Sequence, residues 1–272
     1  MSLFGRRARL QLGLPGTTGK EFLCGGPGEF RLTFDAKMSA TGDPNTATIE
    51  VYNLAAATVA LAQDPECEVR LLVGYDTPTL VFVGNPIADG VRLDRRGPDR
   101  VLHIEAADGG RSYGEARCSI SMATPTTAQQ VFDEVIRQTG LALGVTRVPS
   151  YTFQSGYVFQ GQASDALAKL AASCGATTYT RDGALVFIEA GGDTGEQAVV
   201  FSGSAGNLIG SPTPKDGGKI EVKALLAPTI RPGKVFSVES EDYNGLYVAE
   251  DVSFKGDTHG QDWYVVAVGV AR

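Results

Sequence analysis

Histidines, cysteines and paired carboxylates are the side chains with which this sequence could do chemistry, and they are few or scattered. The chain holds two histidines, His103 in the stretch VLHIEA and His259 in GDTHGQD. The first pattern is typical of a strand face and the second of a solvated turn, so neither is predicted to be catalytic. Neither a GxSxG motif nor a GxGxxG or GxxxxGKS/T loop occurs, which argues against a serine triad and against a phosphate-binding loop.

The four cysteines argue against a metal centre. Cys24, Cys67, Cys118 and Cys174 are far apart in the sequence and form no CxxC pair. A structural zinc site needs closely spaced nitrogen or sulfur ligands, so the sequence predicts no metal site and no cofactor. Isolated thiols of this kind are typical of a protein that stays reduced in a cytoplasm.

Carboxylate pairs are the remaining route to catalysis, because two of them can cleave a glycosidic bond. The candidates are Asp64 with Glu66, and the run Glu239, Glu241 and Asp242. Runs such as SESEDYNG are more often solvated turns, and nothing in the sequence brings two of these groups into one cleft. The sequence therefore predicts no catalytic residue, and a glycan-cleaving hydrolase remains the least favoured alternative.

Charge and composition describe an ordinary folded protein with an acidic balance. The chain has 272 residues, 43% hydrophobic and 20% charged, with a net charge of −7. This charge argues against a protein that grips duplex DNA from outside, because such proteins need a basic face. The one basic cluster, Arg6, Arg7 and Arg9, is interpreted as a solvated or interface-seeking arm. No stretch is long and apolar enough to span a bilayer or to act as a signal peptide, so synthesis and assembly in a cytoplasm are expected.

Periodicity divides the chain into two β-rich blocks around a block that also contains helices. Alternation of apolar and polar residues predicts strands throughout 8–120 and again in 196–271. Helical spacing is confined to 55–63, 124–140 and 163–175. The predicted domains are 1–120, 121–192 and 193–272, the last boundary lying in the polar linker GGDTGEQ (191–197).

Local signals inside these blocks predict where the elements begin and end. Gly140 and Gly175 are predicted to end the second and third helices, and Ser164 is a candidate N-cap. Asp182-Gly183 predicts the turn of a hairpin. Trp263 and Tyr264 could anchor an interface, but packing of a terminal strand into the core is the favoured interpretation.

Several of these stretches, taken in order, resemble phage tail baseplate hub proteins, the contractile-tail family with tube-like β-barrel domains. A strand of the type N-x-A-x-I-x-V-Y-N-L is followed by a strand ending in G-Y, a strand with an F-x-G core and a strand ending in D-G. The later region is similar to the helix after the first barrel and to the C-terminal barrel of that family. The stretches are PNTATIEVYNL (44–54), VRLLVGY (69–75), LVFVGNPIADG (80–90), HIEAADGGRSY (103–113), TPTTAQQVFDEVIRQTGL (124–141) and 220–269.

The resemblance implies a mainly β fold in which two tube-like β-barrel domains flank a small α+β domain. It further implies a homotrimeric ring in the virion, joining a sixfold tail tube protein to a threefold central spike protein and touching other baseplate proteins. DNA would only pass non-specifically through the lumen, for which an acidic lining would fit the charge. A tail-tube or secretion-system structural subunit of related barrel fold is the alternative, and a tail-associated glycan hydrolase is the third.

Overall fold

Strands that alternate buried and exposed residues make up most of the protein, as the period of two predicts. The computed structural model describes residues 5–108 and 116–272. The helices within these ranges are α1 (Ala56–Ala62), α2 (Ala128–Thr139) and α3 (Ala163–Cys174), with a 3-10 turn at Asp216–Gly218. The strands are β1 (Arg6–Gly13), β2 (Lys20–Cys24), β3 (Leu32–Ser39), β4 (Thr46–Tyr52), β5 (Glu68–Tyr75), β6 (Thr79–Arg96), β7 (Asp99–Ala107), β8 (Arg117–Met122), β9 (Thr126–Thr127), β10 (Leu143–Thr146), β11 (Thr152–Phe153), β12 (Tyr157–Gln162), β13 (Ala176–Arg181), β14 (Ala184–Glu189), β15 (Val199–Ser202), β16 (Thr213–Lys215), β17 (Lys219–Leu225), β18 (Val235–Glu239), β19 (Asn244–Asp257) and β20 (Trp263–Ala271).

The N-terminal strands form an antiparallel sheet that closes on itself. Their order is β3-β4-β7-β6-β5-β1-β2. The chain after β2 turns back, so that the Phe30 N–H donates to Leu23 O at 3.2 Å and the Gly25 N–H donates to Phe30 O at 3.2 Å. β6 pairs with β5 through its first part and with β7 through its second, with a bulge between Pro86 and Val91. Residues 109–113 of the predicted motif around His103 lie outside the described residues.

The C-terminal strands also form a sheet that closes on itself, and Asn207 links its two end strands, β15 and β17. The order is β15-β18-β19-β20-β17. The Leu225 N–H donates to Asn207 O at 2.7 Å, which joins this segment to β17. The Asn207 side chain accepts from the Ser202 N–H and donates to Val200 O, both at 2.8 Å, and so covers the edge of β15.

The two closed sheets share one seam, formed by β3 and β19. Seven residue pairs join these strands, from Thr33 opposite Asp257 to Ser39 opposite Asp251. Phe34 and Trp263 meet edge to face across the seam, with ring centroids 5.4 Å apart. Trp263 is buried, which confirms the interpretation of core packing. Arg31 adds two hydrogen bonds to Asp257, at 3.2 and 2.7 Å.

The middle block has its own core between helices α2 and α3 and three small sheets. The sheets are β10-β14-β13, the ribbon β8-β12 and the pair β9-β11. Thr127 caps α2 in a capping box with Gln130, and Gly140 and Gly175 end α2 and α3 in the left-handed conformation, as predicted. The hairpin turn at Asp182-Gly183 is also confirmed, with φ angles of 52° and 81°.

Two helix starts differ from the prediction. The predicted helix 124–140 begins only at Ala128, because Thr126–Thr127 pair with Thr152–Phe153 instead. Ser164 is not the N-cap of α3: the helix follows directly on β12, with Gln162 at the cap position and the Ala163 N–H bonded to Ala116 O at 2.8 Å. The preceding strand pairing therefore fixes where α3 begins.

The mainly β fold class with an α+β middle block is confirmed. The three-domain division stays a prediction. β8 spans its first boundary at residue 120 and pairs with β12 of the middle block. No helix within the described ranges is long and apolar enough to cross a membrane.

Candidate functional site

A continuous polar face runs across both closed sheets. In an antiparallel sheet, residues directly opposite each other point to the same side. Arg92, His103, Glu50 and Thr33 form one such row over β6, β7, β4 and β3. Below, "the polar face" means the outward residues of β17, β20, β19, β3, β4, β7 and β6. Its charged members are the cations Arg92, Arg96, Lys37, Lys255, Lys223 and Lys219 and the anions Glu50, Glu105, Asp94, Asp99, Asp35, Asp251, Asp257 and Glu221.

Glu50 is the centre of the charge network on the N-terminal half of the polar face. Arg96 donates to both of its carboxylate oxygens, at 2.8 and 2.5 Å. His103 Nδ1 lies 3.5 Å from Glu50 Oε1, and His103 Nε2 lies 2.8 Å from Glu105 Oε1. Hydrogen bonding from Arg96, and then from His103, lowers the pKa of Glu50. Arg92 extends the network to Glu105 at 3.3 Å.

The C-terminal half of the polar face also pairs its cations. Lys219 Nζ lies 2.6 Å from Glu250 Oε2, and Glu221 Oε2 lies 3.1 Å from Lys215 Nζ on the neighbouring strand β16. The Lys223 ammonium lies 3.8 Å from the centroid of the Tyr264 ring, where the π face attracts it. The polar face therefore carries many charges whose partners are supplied by the same chain.

A buried arginine joins the middle block to both closed sheets. Arg231, 7% exposed, pairs with Asp182 at the tip of the β13–β14 hairpin, its Nε lying 3.0 Å from Asp182 Oδ2. It also donates to Leu80 O in β6 and to Pro228 O and Ile230 O in its own segment. Because one guanidinium satisfies acceptors in three parts of the chain, it fixes their relative placement.

A buried carboxylate makes a second contact at the same hairpin. Asp108 accepts from the Asn45 N–H at 2.7 Å, from Asn45 Nδ2 at 2.5 Å and from the Thr180 hydroxyl at 3.0 Å. Burial raises the pKa of Asp108 to about 6, although its hydrogen bonds act in the opposite direction. Asn45 Nδ2 also donates to Thr180 O, so the hairpin is held to the N-terminal sheet by a small polar network.

The residues singled out in the sequence are not brought together into one cleft. His103 is a buried strand residue held between two carboxylates, and His259 lies in the exposed turn after β19. Asp64 and Glu66 precede β5, where the Glu66 N–H donates to Asp64 Oδ1 at 2.8 Å. Glu239, Glu241 and Asp242 lie at the β18–β19 hairpin in the other closed sheet.

The arginines at the N-terminus are not an arm, which corrects the sequence interpretation. All three belong to β1, because this segment pairs with both β2 and β5. Arg6 donates to Gly260 O at 2.6 Å, Arg7 pairs with Glu29 at 3.1 Å and Arg9 with Glu21 at 3.8 Å.

The cysteines lie in separate places. Cys24, Cys67 and Cys118 are buried and Cys174 is half-buried. Burial raises the pKa of the Cys24 thiol to about 12.

Four charged residues that join distant parts of the chain were not singled out in the sequence. Glu50, Arg96, Asp108 and Arg231 are ordinary charged residues at strand or turn positions, and their partners are distant along the chain. The available signal was weak: Glu50 and His103 occupy polar positions of alternating strands, which could have suggested a shared face.

Comparison with known proteins identifies the fold. No family model and no curated protein matches the sequence. A tail protein from Neisseria meningitidis matches with a TM-score of 0.66 at 10% identity, covering 98% of this chain and 96% of that one. The 43 kDa tail protein of prophage MuSo2 from Shewanella oneidensis matches with a TM-score of 0.63 at 12% identity, covering 97% and 98%. An E. coli component of the type VI secretion system, described as structurally similar to the T4 bacteriophage tail proteins gp27 and gp5, matches with a TM-score of 0.59 at 9% identity, covering 96% and 76%.

These likenesses extend over nearly the whole chain, including the middle block. The protein therefore has the fold of phage tail hub-like proteins, and the predicted resemblance is confirmed at the level of fold.

Proposed function

We propose that this protein is a structural subunit of a phage tail or a phage-tail-like particle. In this proposal it is the baseplate hub, a homotrimeric ring between the sixfold tail tube and the threefold central spike. The observation that carries the proposal is the pair of closed β sheets in one chain, fused at the β3–β19 seam. Three copies of such a chain present six sheets, which can meet a sixfold tube while the ring itself is threefold.

An exposed strand edge in the N-terminal sheet supports the proposed ring. In the continuous sheet β6 lies between β7 and β5, and its pairing with β5 ends at Gly84. The second half of β6 pairs on one side only among the described residues, and it exposes Ile87 and Leu93, 42% and 43% accessible. An exposed apolar edge strand invites pairing with another chain. We therefore propose an inter-chain contact beside the turn 95–98, whereas Trp263 packs against Phe34 at the seam within the chain.

Two other strand edges, those of β8 and β15, are closed by side-chain amides, which supports the choice of β6. Gln138 accepts from the Ser119 N–H and donates to Ser119 O, both at 2.9 Å, and so covers the edge of β8. Asn207 covers β15 in the same manner. Side chains that occupy edge hydrogen bonds prevent strand addition there.

The proposed role is structural and not enzymatic. The partners are a tail tube protein, a central spike protein and other baseplate proteins, and the particle is assembled in the host cytoplasm. A secretion-system subunit is the second candidate, favoured by the likeness to the type VI secretion component.

Negative-stain electron microscopy of the purified protein tests the proposal. A hub predicts rings with threefold symmetry and six lobes around a central opening. Stacked sixfold rings or filaments would favour a tube subunit, and uniform monomers would contradict both ring-forming roles.

A further inference from the structure

Two arginines face each other beside the exposed edge of β6, and no described anion pairs with either of them. Arg95 in β6 stands directly opposite Arg100 in β7. The Arg100 guanidinium donates to the carbonyl of Leu54 at 2.8 Å, which leaves its charge uncompensated. Like charges that stand directly opposite each other destabilise an antiparallel pair. Leu93, two residues before Arg95, lies on the same side of β6. This edge therefore presents an exposed apolar side chain beside free positive charge.

A surface on the C-terminal sheet carries the opposite charge beside exposed apolar side chains. Val200 in β15, Ser237 in β18 and Leu246 in β19 stand side by side across three paired strands. Val200 and Leu246 are 47% and 49% exposed. Glu239 follows Ser237 by two residues, so it lies on the same side of the sheet. Below, "the acidic row" means these four residues.

The charge of the acidic row is also uncompensated. The turn after β18 adds the carboxylates of Glu241 and Asp242 beside Glu239. Within residues 5–108 and 116–272 none of the three forms an ion pair. Like charges this close repel each other, and a cation from outside would relieve the repulsion.

The signs of the charges decide which surfaces can meet. Two β6 edges placed against each other would bring the free arginines of both copies together, which is unfavourable. Other exposed apolar residues also have cations for neighbours: Leu23 stands opposite Arg9, and Val158 lies on the β8–β12 ribbon, whose charged residue is Arg117. The acidic row, by contrast, offers apolar area together with free carboxylates.

We propose that the β6 edge of one copy docks on the acidic row of the next copy. Leu93 then packs on the apolar side chains of that row, and Arg95 and Arg100 face Glu239. The inference rests on the proposed ring and names the surface that receives its exposed edge. Because the two surfaces differ and each chain carries both, the contact is heterologous and repeats from copy to copy. Apolar area holds the contact, while the charges orient the copies and speed their association.

Reversal of single charges tests the contact. Arg95→Glu and Glu239→Arg each put like charges into it. We expect each variant to associate roughly tenfold more weakly than the unmodified protein at low salt. Particle mass measured by light scattering over a range of protein concentrations gives this comparison. The double variant Arg95→Glu/Glu239→Arg restores opposite charges and should recover most of the loss. At about 1 M salt the four proteins should associate alike, because exposed charges are then screened.

Lys20→Glu and Glu189→Arg are the matched controls, since they change the net charge by the same amounts. Both residues are exposed, Lys20 at the start of β2 and Glu189 at the end of β14, and neither forms an ion pair with another described residue. Equal weakening in these variants would show that net charge alone matters and would overturn the proposal. A thermal melt checks the fold of each variant. Arg95→Glu should fold normally, because its carboxylate faces Arg100.

The outcomes separate this contact from the proposed function. Trimers that are insensitive to both charge reversals would overturn the contact and leave the hub standing. Charge-sensitive association into filaments would support the contact and contradict a closed ring. Twofold dimers would overturn the heterologous contact. Monomers of the unmodified protein at every concentration would contradict both the contact and the ring.

Discussion

Close packing at the seam between the two closed sheets depends on single residues, and Gly256 is the clearest case. It lies in β19 between Phe34 on β3 and Trp263 on β20. A Cβ atom at this position would lie 2.4 Å from a Phe34 ring carbon and 2.7 Å from a Trp263 ring carbon. The two rings therefore meet only because the residue between them has no side chain.

Gly256→Ala is expected to destabilise the protein by about 1–3 kcal/mol, because the added methyl group overpacks the seam. Urea unfolding measures the effect. Gly42→Ala is the control, since no atom lies within 4 Å of a Cβ added there and its loss should be close to zero. Equal stability of the two variants would show that the Phe34–Trp263 contact is looser than described.

Asp108 makes stability depend on pH in a defined window. Its pKa is about 6 in the folded protein and 3.8 as a free side chain, so the folded state binds more protons between these values. The stabilisation from this proton is complete below the lower value and is lost as pH rises through about 6. The protein should therefore lose about 1 kcal/mol of unfolding free energy between pH 5 and 7.5 through this group. Urea unfolding at both pH values should show a smaller change of the unfolding free energy in Asp108→Asn than in the unmodified protein. An equal change in the two proteins would contradict the raised pKa of Asp108.

At the scale of elements, the β13–β14 hairpin is the piece that ties the middle block to the fused sheets. Its tip contacts the N-terminal sheet through Asn45 and Asp108 and the C-terminal segment through Arg231. Tyr179 adds a hydrogen bond from its hydroxyl to Pro232 O at 3.1 Å. The contacts are polar and buried, so losing one of them leaves acceptors without partners.

Arg231→Met is expected to cost about 2–3 kcal/mol, because it leaves Asp182 and the carbonyl of Leu80 without their donor. Amide hydrogen exchange should rise in β13 and β14 more than in β19 and β20. Arg137→Met, which removes an exposed ion pair with Glu134 on α2, serves as the control and should change neither quantity. Uniform exchange changes across the chain would contradict a local role for Arg231.

The sequence predicts the elements well but not the way they meet. Alternation locates the strands because the face of each side chain follows from its position in the strand, and Gly140 and Gly175 locate helix ends because of their left-handed backbone. Nothing local marks β3 and β19 as partners, since about 220 residues separate them in the sequence. The prediction of Ser164 as the N-cap of α3 was wrong for a related reason, because the pairing of Gln162 with Arg117 fixes the start of this helix.

The contacts of the candidate site could not be predicted from the sequence for the same physical reason. The pairing of Glu50 with Arg96 depends on which strands lie side by side, and the role of Arg231 depends on a hairpin from another block. The residue types indicate which interactions a side chain can make, whereas the register of the sheet determines which side chains are in contact.

For the whole molecule, we propose that three of these chains close into a ring held by apolar strand edges. Permanent interfaces of this kind bury on the order of 2,000 Å² or more and depend mainly on apolar area. The exposed Ile87 and Leu93 lie on the β6 edge, where such a contact would form. The arginines of β1 already have partners within the chain, so we do not expect them to supply the proposed ring contact.

Particle mass by light scattering, at low salt and at about 1 M salt, tests this claim most directly. At the higher concentration the screening length falls to roughly 3 Å, so contacts between exposed charges are lost while apolar contacts persist. A ring held by apolar strand edges predicts a trimer under both conditions. A monomer under both conditions would contradict the ring, and a trimer that dissociates at high salt would contradict the apolar edge on which it depends.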